Sequence, residues 1–175
     1  MSMSELHKPE WYGECAIISD KYNDYVQIKY KCNGTGTLYD YSLFPGINLI
    51  FMDFNCSDIF HEPIPNKNII EIRHYQKGRV EFELRNNKVF HMKEGELCIN
   101  ALANVPAAYS FPFGYSVGLS CVIDKDSIDA KTKQIFSYYN IDVLNLGQEL
   151  EIEKKWFLCR TPQRLLHIFD ELYAA

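Results

Sequence analysis

In Arg79-Val80-Glu81-Phe82-Glu83-Leu84 apolar and charged residues alternate strictly, so Val80, Phe82 and Leu84 share one side and the charges share the other. A period of two is that of a half-buried antiparallel strand. Asn86-Asn87 follows, two residues that tolerate positive φ, and the extended pattern resumes over Val89–Met92, which predicts a hairpin. Gly95 then interrupts the chain before Leu97-Cys98-Ile99. A second alternating stretch sets Tyr115, Val117, Leu119, Cys121 and Ile123 on one face and the small residues Ser116, Gly118 and Ser120 on the other. Small side chains let another backbone, or a ligand, come close. From Tyr12 to about Ile123 the whole chain reads as short extended segments separated by Gly, Asn and Pro, and helical periodicity is hard to find.

Beyond Asp124 the period changes. Asp126 to Tyr139 holds no Gly or Pro, begins with capping residues and brings Ile128, Ile135 and Phe136 near one face, as an amphipathic helix does. A second helix is predicted after Thr161, the expected cap, with Pro162 in its first turn and an apolar stripe of Leu165, Leu166, Ile168, Phe169, Leu172 and Tyr173. The stripe has two uses, packing on the strands or meeting its copy in a dimer, and for the second Leu165, Ile168, Phe169 and Leu172 are the expected contacts. Many short strands followed by helices describe a mainly-β fold, a sandwich or small barrel over residues 1–124 with a helical segment over 125–175.

The 175 residues, 47% hydrophobic and 14% aromatic, suffice for one domain with a substantial core. Lys and Arg total 18 against 23 Asp and Glu, a net charge of -5, whereas a free-standing nucleic-acid binder carries a basic face. This part of the chain is not expected to grip DNA itself. The six cysteines show no Cys-x-x-Cys pair and no zinc-type spacing, which suits reduced, mostly buried thiols in a cytoplasm. Apolar runs such as Ile47–Met52 fall far short of the roughly 18 residues of a membrane span, and the N-terminal residues form no signal-peptide core. A soluble cytoplasmic protein without a membrane partner is the expectation.

Catalytic motifs are scarce. Asn33-Gly34-Thr35-Gly36 lies between strand-like segments rather than before a helix and reads as a turn, not a phosphate loop, and no Gly-x-Ser-x-Gly elbow is present. Glu81 and Glu83 fall on the polar face of their strand. His61, His74 and His91 lie in the strand-rich region without a His-x-His pair, so hydrogen-bonded histidines are preferred to a metal site, and neither metal nor cofactor is expected. In Ile69-Ile70-Glu71-Ile72-Arg73-His74-Tyr75 alternation puts Glu71, Arg73 and Tyr75 on one side. Facing inwards, a carboxylate beside a guanidinium demands pairing or a ligand; facing outwards, it demands nothing. Candidate walls of a small-molecule pocket are Tyr75, Phe82, Tyr109, Phe111, Phe113 and Tyr115, aromatic residues on strand-like segments that core packing explains equally well.

The stretch from Ile70 through Tyr75, Gly78 and Phe82 to Leu84 resembles the N-terminal sensor domain of AraC-type transcription regulators. Leu43-Phe44-Pro45-Gly46-Ile47, Glu94-Gly95-Glu96-Leu97-Cys98, Ser110-Phe111-Pro112-Phe113-Gly114-Tyr115 and Leu166 to Tyr173 are similar to one branch of that family in the same order, over roughly residues 35 to 173. The resemblance implies a cupin-like double-stranded β-barrel of jelly-roll type, then helices that help a homodimer form, then a linker and a helix-turn-helix domain that alone touches DNA. Only Ala174-Ala175 follow Tyr173, so that last domain is expected to be missing from this chain. The implied function is to bind a small organic effector in the barrel without catalysis, with Glu71, Arg73, Tyr75, Phe82, Tyr109, Phe111 and Tyr115 as the ligand contacts. Cupin enzymes carry two histidines one residue apart, a nearby glutamate and a later histidine. Here Glu71 and His74 stand without such a pair and no histidine occurs between Gly95 and Phe111, which departs from a metal-dependent cupin. The alternatives are an enzyme with unconventional ligands and a dimerisation module with a filled barrel.

Overall fold

The computed structural model describes residues 12–13, 16–22, 24–60, 65–84, 88–103 and 106–174. Among these residues eleven strands and two α-helices are formed: β1 (Ala16–Lys21), β2 (Tyr25–Tyr30), β3 (Gly34–Phe44), β4 (Ile47–Cys56), β5 (Asp58–Phe60), β6 (Asn66–Leu84), β7 (Val89–Lys93), β8 (Glu96–Leu102), β9 (Pro106–Ser110), β10 (Ser116–Asp124), α1 (Ala130–Tyr138), β11 (Phe157–Arg160) and α2 (Gln163–Ala174). All pairings are antiparallel. The larger sheet runs β1-β2-β3-β4-β10-β6-β8-β11, and a smaller one joins β5, β9, the end of β6, and β7. The fold class is the mainly-β, curled, cupin-like barrel that the pattern and the resemblance led us to expect.

β6 holds the two sheets together. Its 19 residues pair with β10 and β8 in the larger sheet up to Gly78, and with β7 and β9 in the smaller sheet from Arg79. The change of sheet happens at Gly78, whose φ of +87° is one that side chains with a Cβ avoid. A Cβ there would also stand 2.4 Å from the carbonyl oxygen of Tyr115. The alternation read over Arg79–Leu84 is confirmed, with Val80 and Phe82 fully buried in the barrel and Glu83 exposed. Val89–Lys93 forms the second arm of the expected hairpin, whose turn at Asn86-Asn87 lies outside the described residues.

Two apolar clusters result. One fills the barrel between the sheets, with Ile28, Met52, Phe54, Val80, Phe82, Met92 and Phe111 among its members. The other covers the outer face of the larger sheet, where Ile70, Ala101 and Ile123 meet Ile128, Val143 and Ile152 of the C-terminal segment. The small face of β10 (Ser116, Gly118, Ser120) points into the barrel, and its apolar face packs outward.

The C-terminal segment differs from the expectation in three respects. The first helix starts only at Ala130, capped by Asp129, whose Oδ1 accepts from the Thr132 amide at 2.7 Å. Phe157–Arg160 forms β11 on the free edge of β8, a strand that the helical reading of 125–175 missed. Thr161 is not a side-chain cap for α2. Its amide donates to the Gly95 carbonyl at 2.9 Å, and its buried hydroxyl has no hydrogen-bond partner among the described residues. α2 lies on the barrel: Phe169 stacks on His74 at 4.1 Å between ring centroids, and Tyr173 packs edge-on against Phe51 of β4. Among the described residues no helix is long and apolar enough to cross a membrane.

Candidate functional site

β6 runs between β10 and β8, and residues opposite one another across an antiparallel pair share a face. Arg73 stands opposite Ser120 on one side and Cys98 on the other, and Glu71 stands opposite Val122 and Asn100. Ser120, Val122 and Cys98 belong to the inner face, so Glu71, Arg73 and Tyr75 are inside the barrel too. The inward alternative of the sequence reading is therefore realised: Glu71 is 6% exposed, Arg73 5% and Tyr75 1%.

The pair is made as burial requires. Arg73 Nε donates to Glu71 Oε1 at 3.1 Å and Nη2 to Oε2 at 2.6 Å, a two-pronged contact, and the Ser120 hydroxyl donates to Glu71 Oε1 at 2.5 Å. The guanidinium carbon lies 5.1 Å from the Phe82 ring centroid and 5.4 Å from that of Tyr109, and Nη2 reaches the Tyr109 hydroxyl at 3.4 Å. Arg73 Nη1 is buried and has no hydrogen-bond partner among the described residues. Burial alone would lower the arginine pKa, but the charge of Glu71 and the hydroxyls of Tyr109 and Tyr75 outweigh it, so the cation is held firmly.

Glu71, Arg73, Tyr75, Tyr109 and Ser120 border a cavity of about 50 Å³ inside the barrel, whose other walls include Leu38, Ile50, Met52, Phe54, Leu102 and Val122. Burial raises the ionisation of Tyr75 and Tyr109 well beyond the neutral range, so both hydroxyls stay protonated, although Arg73 opposes the shift. Burial likewise pushes the Cys98 thiol up to about 12, which leaves it an unreactive neutral group. Among the described residues the Tyr75 hydroxyl makes no hydrogen bond. Further along, Asp40 is fully buried and accepts from the Asn48 amide at 2.8 Å and from the Tyr12 hydroxyl, and Tyr12 itself reaches the cavity wall.

Of the residues proposed from the sequence, Glu71, Arg73, Tyr75 and Tyr109 converge on the cavity. Phe82 supports Arg73 from the side, and Phe111 stacks on Phe54 at 4.9 Å behind the wall. Tyr115 and Phe113 are corrections. They are 42% and 64% exposed, because the tight turn at Pro112–Gly114 closes with Gly114 N on the Phe111 carbonyl and β10 then enters with Ser116 inward, so its predecessor points out. Sequence reasoning missed Asp40, Asn48 and Tyr12, and marked Ser120 only as a small residue that a ligand or backbone can approach. The signal for Asp40 was present, since it shares strand parity with the inward Leu38. Leu165, Phe169 and Leu172 are half-buried and Ile168 is 44% exposed; Phe169 is occupied by its stack on His74.

Glu71 and His74 cannot share a metal ion, because parity sends Glu71 into the cavity and His74 to the opposite face, under α2. His91 is exposed on β7, and His61 lies outside the described residues. Among the described residues no cluster of three His, Cys, Asp or Glu side chains is arranged to hold a metal.

No protein-family model matches the chain, and no curated protein matches its sequence. Solved structures of similar shape include the EutQ protein of Clostridium difficile, 16% identical over 52% of this chain and 71% of that one, with a TM-score of 0.40. ToxT from Vibrio Cholerae O395, bound to (E)-4-(8-methylnaphthalen-1-yl)but-3-enoic acid, is 9% identical over 74% of this chain and 48% of that one, TM-score 0.44. Oxalate decarboxylase from Bacillus subtilis is 12% identical over 91% and 44%, TM-score 0.42. At this level of similarity the fold assignment stands on the strand topology, and the site is read from its own residues.

Proposed function

We propose that this chain is the effector-sensing part of an AraC-type transcription regulator: a non-catalytic barrel that binds a small organic molecule and reports its presence through α2. The observation that carries the reading is the guanidinium of Arg73, enclosed in the barrel with one donor nitrogen unused beside a cavity with apolar walls. Buried donors are normally satisfied, and a pocket of apolar walls with a few placed polar groups is the usual form of a small-molecule site. The ordered sequence resemblance over residues 35 to 173 supports the regulator family, and the acidic balance of the chain suits a protein whose DNA contacts lie in a separate helix-turn-helix domain. Ile168, with Leu165 and Leu172 beside it, is the proposed contact of a homodimer.

The test is a thermal-shift screen of the purified chain against sugars, organic acids, aromatic metabolites, amides and divalent metals. A ligand of the native state raises the melting temperature in proportion to the logarithm of its concentration well above Kd. An organic compound acting in this way, and losing its effect when a cavity side chain is changed, is the expected result. A response to metals alone would overturn the reading in favour of metal-dependent chemistry.

A further inference from the structure

We propose that the cavity receives an uncharged ligand by a carbonyl-type acceptor oxygen, held by Arg73 Nη1 and the Tyr75 hydroxyl, and discriminates against a carboxylate of the same shape. The inference rests on the reading of the cavity as a ligand site and names the chemistry that the site selects.

Three observations carry it. Two cavity-lining residues carry a donor without a partner among the described residues: Arg73 Nη1 is buried without one, and the Tyr75 hydroxyl, on the same face two residues along β6, makes no hydrogen bond there. A carbonyl oxygen has two lone pairs, so one such atom satisfies both donors at once.

The charge is already balanced. Glu71 takes two of the three guanidinium nitrogens of Arg73, leaving a donor whose positive charge has been answered. Asp40 adds a second enclosed acidic side chain, at 0% exposure. A ligand carboxylate would bring further negative charge into a space that already holds Glu71, where little water screens the repulsion, and it would lose its own hydration on entry. A neutral amide or ketone makes the same hydrogen bonds without that repulsion.

The size is limited. A single water requires roughly 10–15 Å³ of such space, so a cavity of about 50 Å³ takes a group of about three to five non-hydrogen atoms without moving its walls. Leu38, Ile50, Met52 and Val122 offer only apolar surface to the remainder of that group.

Propionamide and propionate form a matched pair of this size that differ in charge and not in outline. Their binding to the intact chain at pH 7 is measured by the chemical-shift change of the Arg73 side-chain Nε–H resonance and of the cavity methyl groups of Ile50 and Leu38. Propionamide is expected to saturate these shifts in the millimolar range, within the limit for so few atoms, and propionate to bind at least tenfold more weakly. Tyr75→Phe, which deletes a hydroxyl that the protein itself does not use, is expected to weaken propionamide about fivefold while the fold, checked by its melting curve, is kept. Propionate binding as tightly as propionamide, or propionamide failing to bind, overturns the inference, as does a folded Tyr75→Phe variant of unchanged affinity. A compound from the library screen that binds the cavity while propionamide does not would leave the sensor reading standing and this assignment refuted. Silence from both would remove both.

Discussion

The ion pair inside the barrel makes a quantitative claim. In Arg73→Met the carboxylate of Glu71 loses both guanidinium bonds and keeps the Ser120 hydroxyl, in a position only 6% exposed. Removing one partner of a buried pair costs about 3–5 kcal/mol, because the other charge stays behind without compensation. For a chain of this length each kcal/mol corresponds to roughly 2–4 °C in Tm, so the expected fall is about 6–20 °C. Replacing both partners, in Glu71→Gln with Arg73→Met, removes the stranded charge and is expected to recover most of the loss. Urea unfolding followed through Trp156, which packs against Phe82 and Phe90 in the barrel, measures all four corners of the cycle. The pH dependence supplies a further check. A buried carboxyl that has lost its guanidinium partner has its pKa raised, so the deficit of Arg73→Met is greatest above that pKa and shrinks as the pH falls and Glu71 takes up a proton. A single-variant cost below about 1 kcal/mol, or costs that simply add in the double variant, would refute the burial of this pair and with it the inward orientation of β6.

Two other features give predictions of their own. Gly78→Ala places a Cβ at φ +87° and 2.4 Å from the Tyr115 carbonyl oxygen, so the strand must shift where it changes sheet; a loss of about 2–5 kcal/mol in urea unfolding is expected, and a loss under 1 kcal/mol would contradict the tight crossing. His74 is buried beneath α2, and burial lowers its pKa from 6.5, with Asp170 opposing. The neutral form is therefore the stable one: the stabilisation is complete above the unfolded pKa near 6.5 and is lost as pH falls through the lowered folded value. Melting curves from pH 8 to pH 5 are expected to show wild type losing more stability on the acid side than His74→Phe, which keeps a ring for Phe169 to stack on.

What the sequence disclosed follows from where periodicity carries information. Arg79–Leu84 and Val89–Lys93 have one face in the barrel and one towards solvent, so alternation identifies them. The first half of β6 is covered on both sides, by the barrel interior and by the C-terminal segment, and there the pattern names two faces without saying which is inside. Polarity would have pointed the wrong way, since the charged Glu71 and Arg73 face inward and Ile70 faces out towards Ile128 and Val143. Barrel closure decides that question, and closure depends on pairings between residues far apart in the chain. β11 escaped for a related reason: its four residues form a strand because the edge of β8 is available. For Tyr115 the alternation was read correctly, with Cys121 and Ile123 on its side, but that side faces away from the barrel, and choosing the wrong face inverts every side chain along a strand.

The parity that hid the site also supplies its route to the surface. Arg73 and Tyr75 point into the cavity, and the residue between them, His74, points the other way, stacked on Phe169 with Nδ1 3.1 Å from the Tyr173 hydroxyl, which also lies 3.1 Å from the His74 carbonyl oxygen. A ligand that draws Arg73 or Tyr75 acts on backbone that holds α2 in place. Coupling of this kind is a free energy shared by two sites, so it must be reciprocal: if occupancy of the cavity changes the docking equilibrium of α2 by some factor, loosening α2 changes ligand affinity by the same factor. Tyr173→Phe loosens the helix without touching the cavity, removing hydrogen bonds worth about 1 kcal/mol each. Amide hydrogen exchange across Gln163–Ala174, with and without a ligand found by the screen, gives the first factor, and the Kd of that ligand for wild type and Tyr173→Phe tests whether affinity moves with it. Sensing through α2 requires exchange in the helix to change on binding and the two Kd values to differ in the matching direction. If exchange in α2 is indifferent to the ligand and Tyr173→Phe leaves Kd unchanged, the barrel binds without reporting through this helix, and the output must leave by another surface.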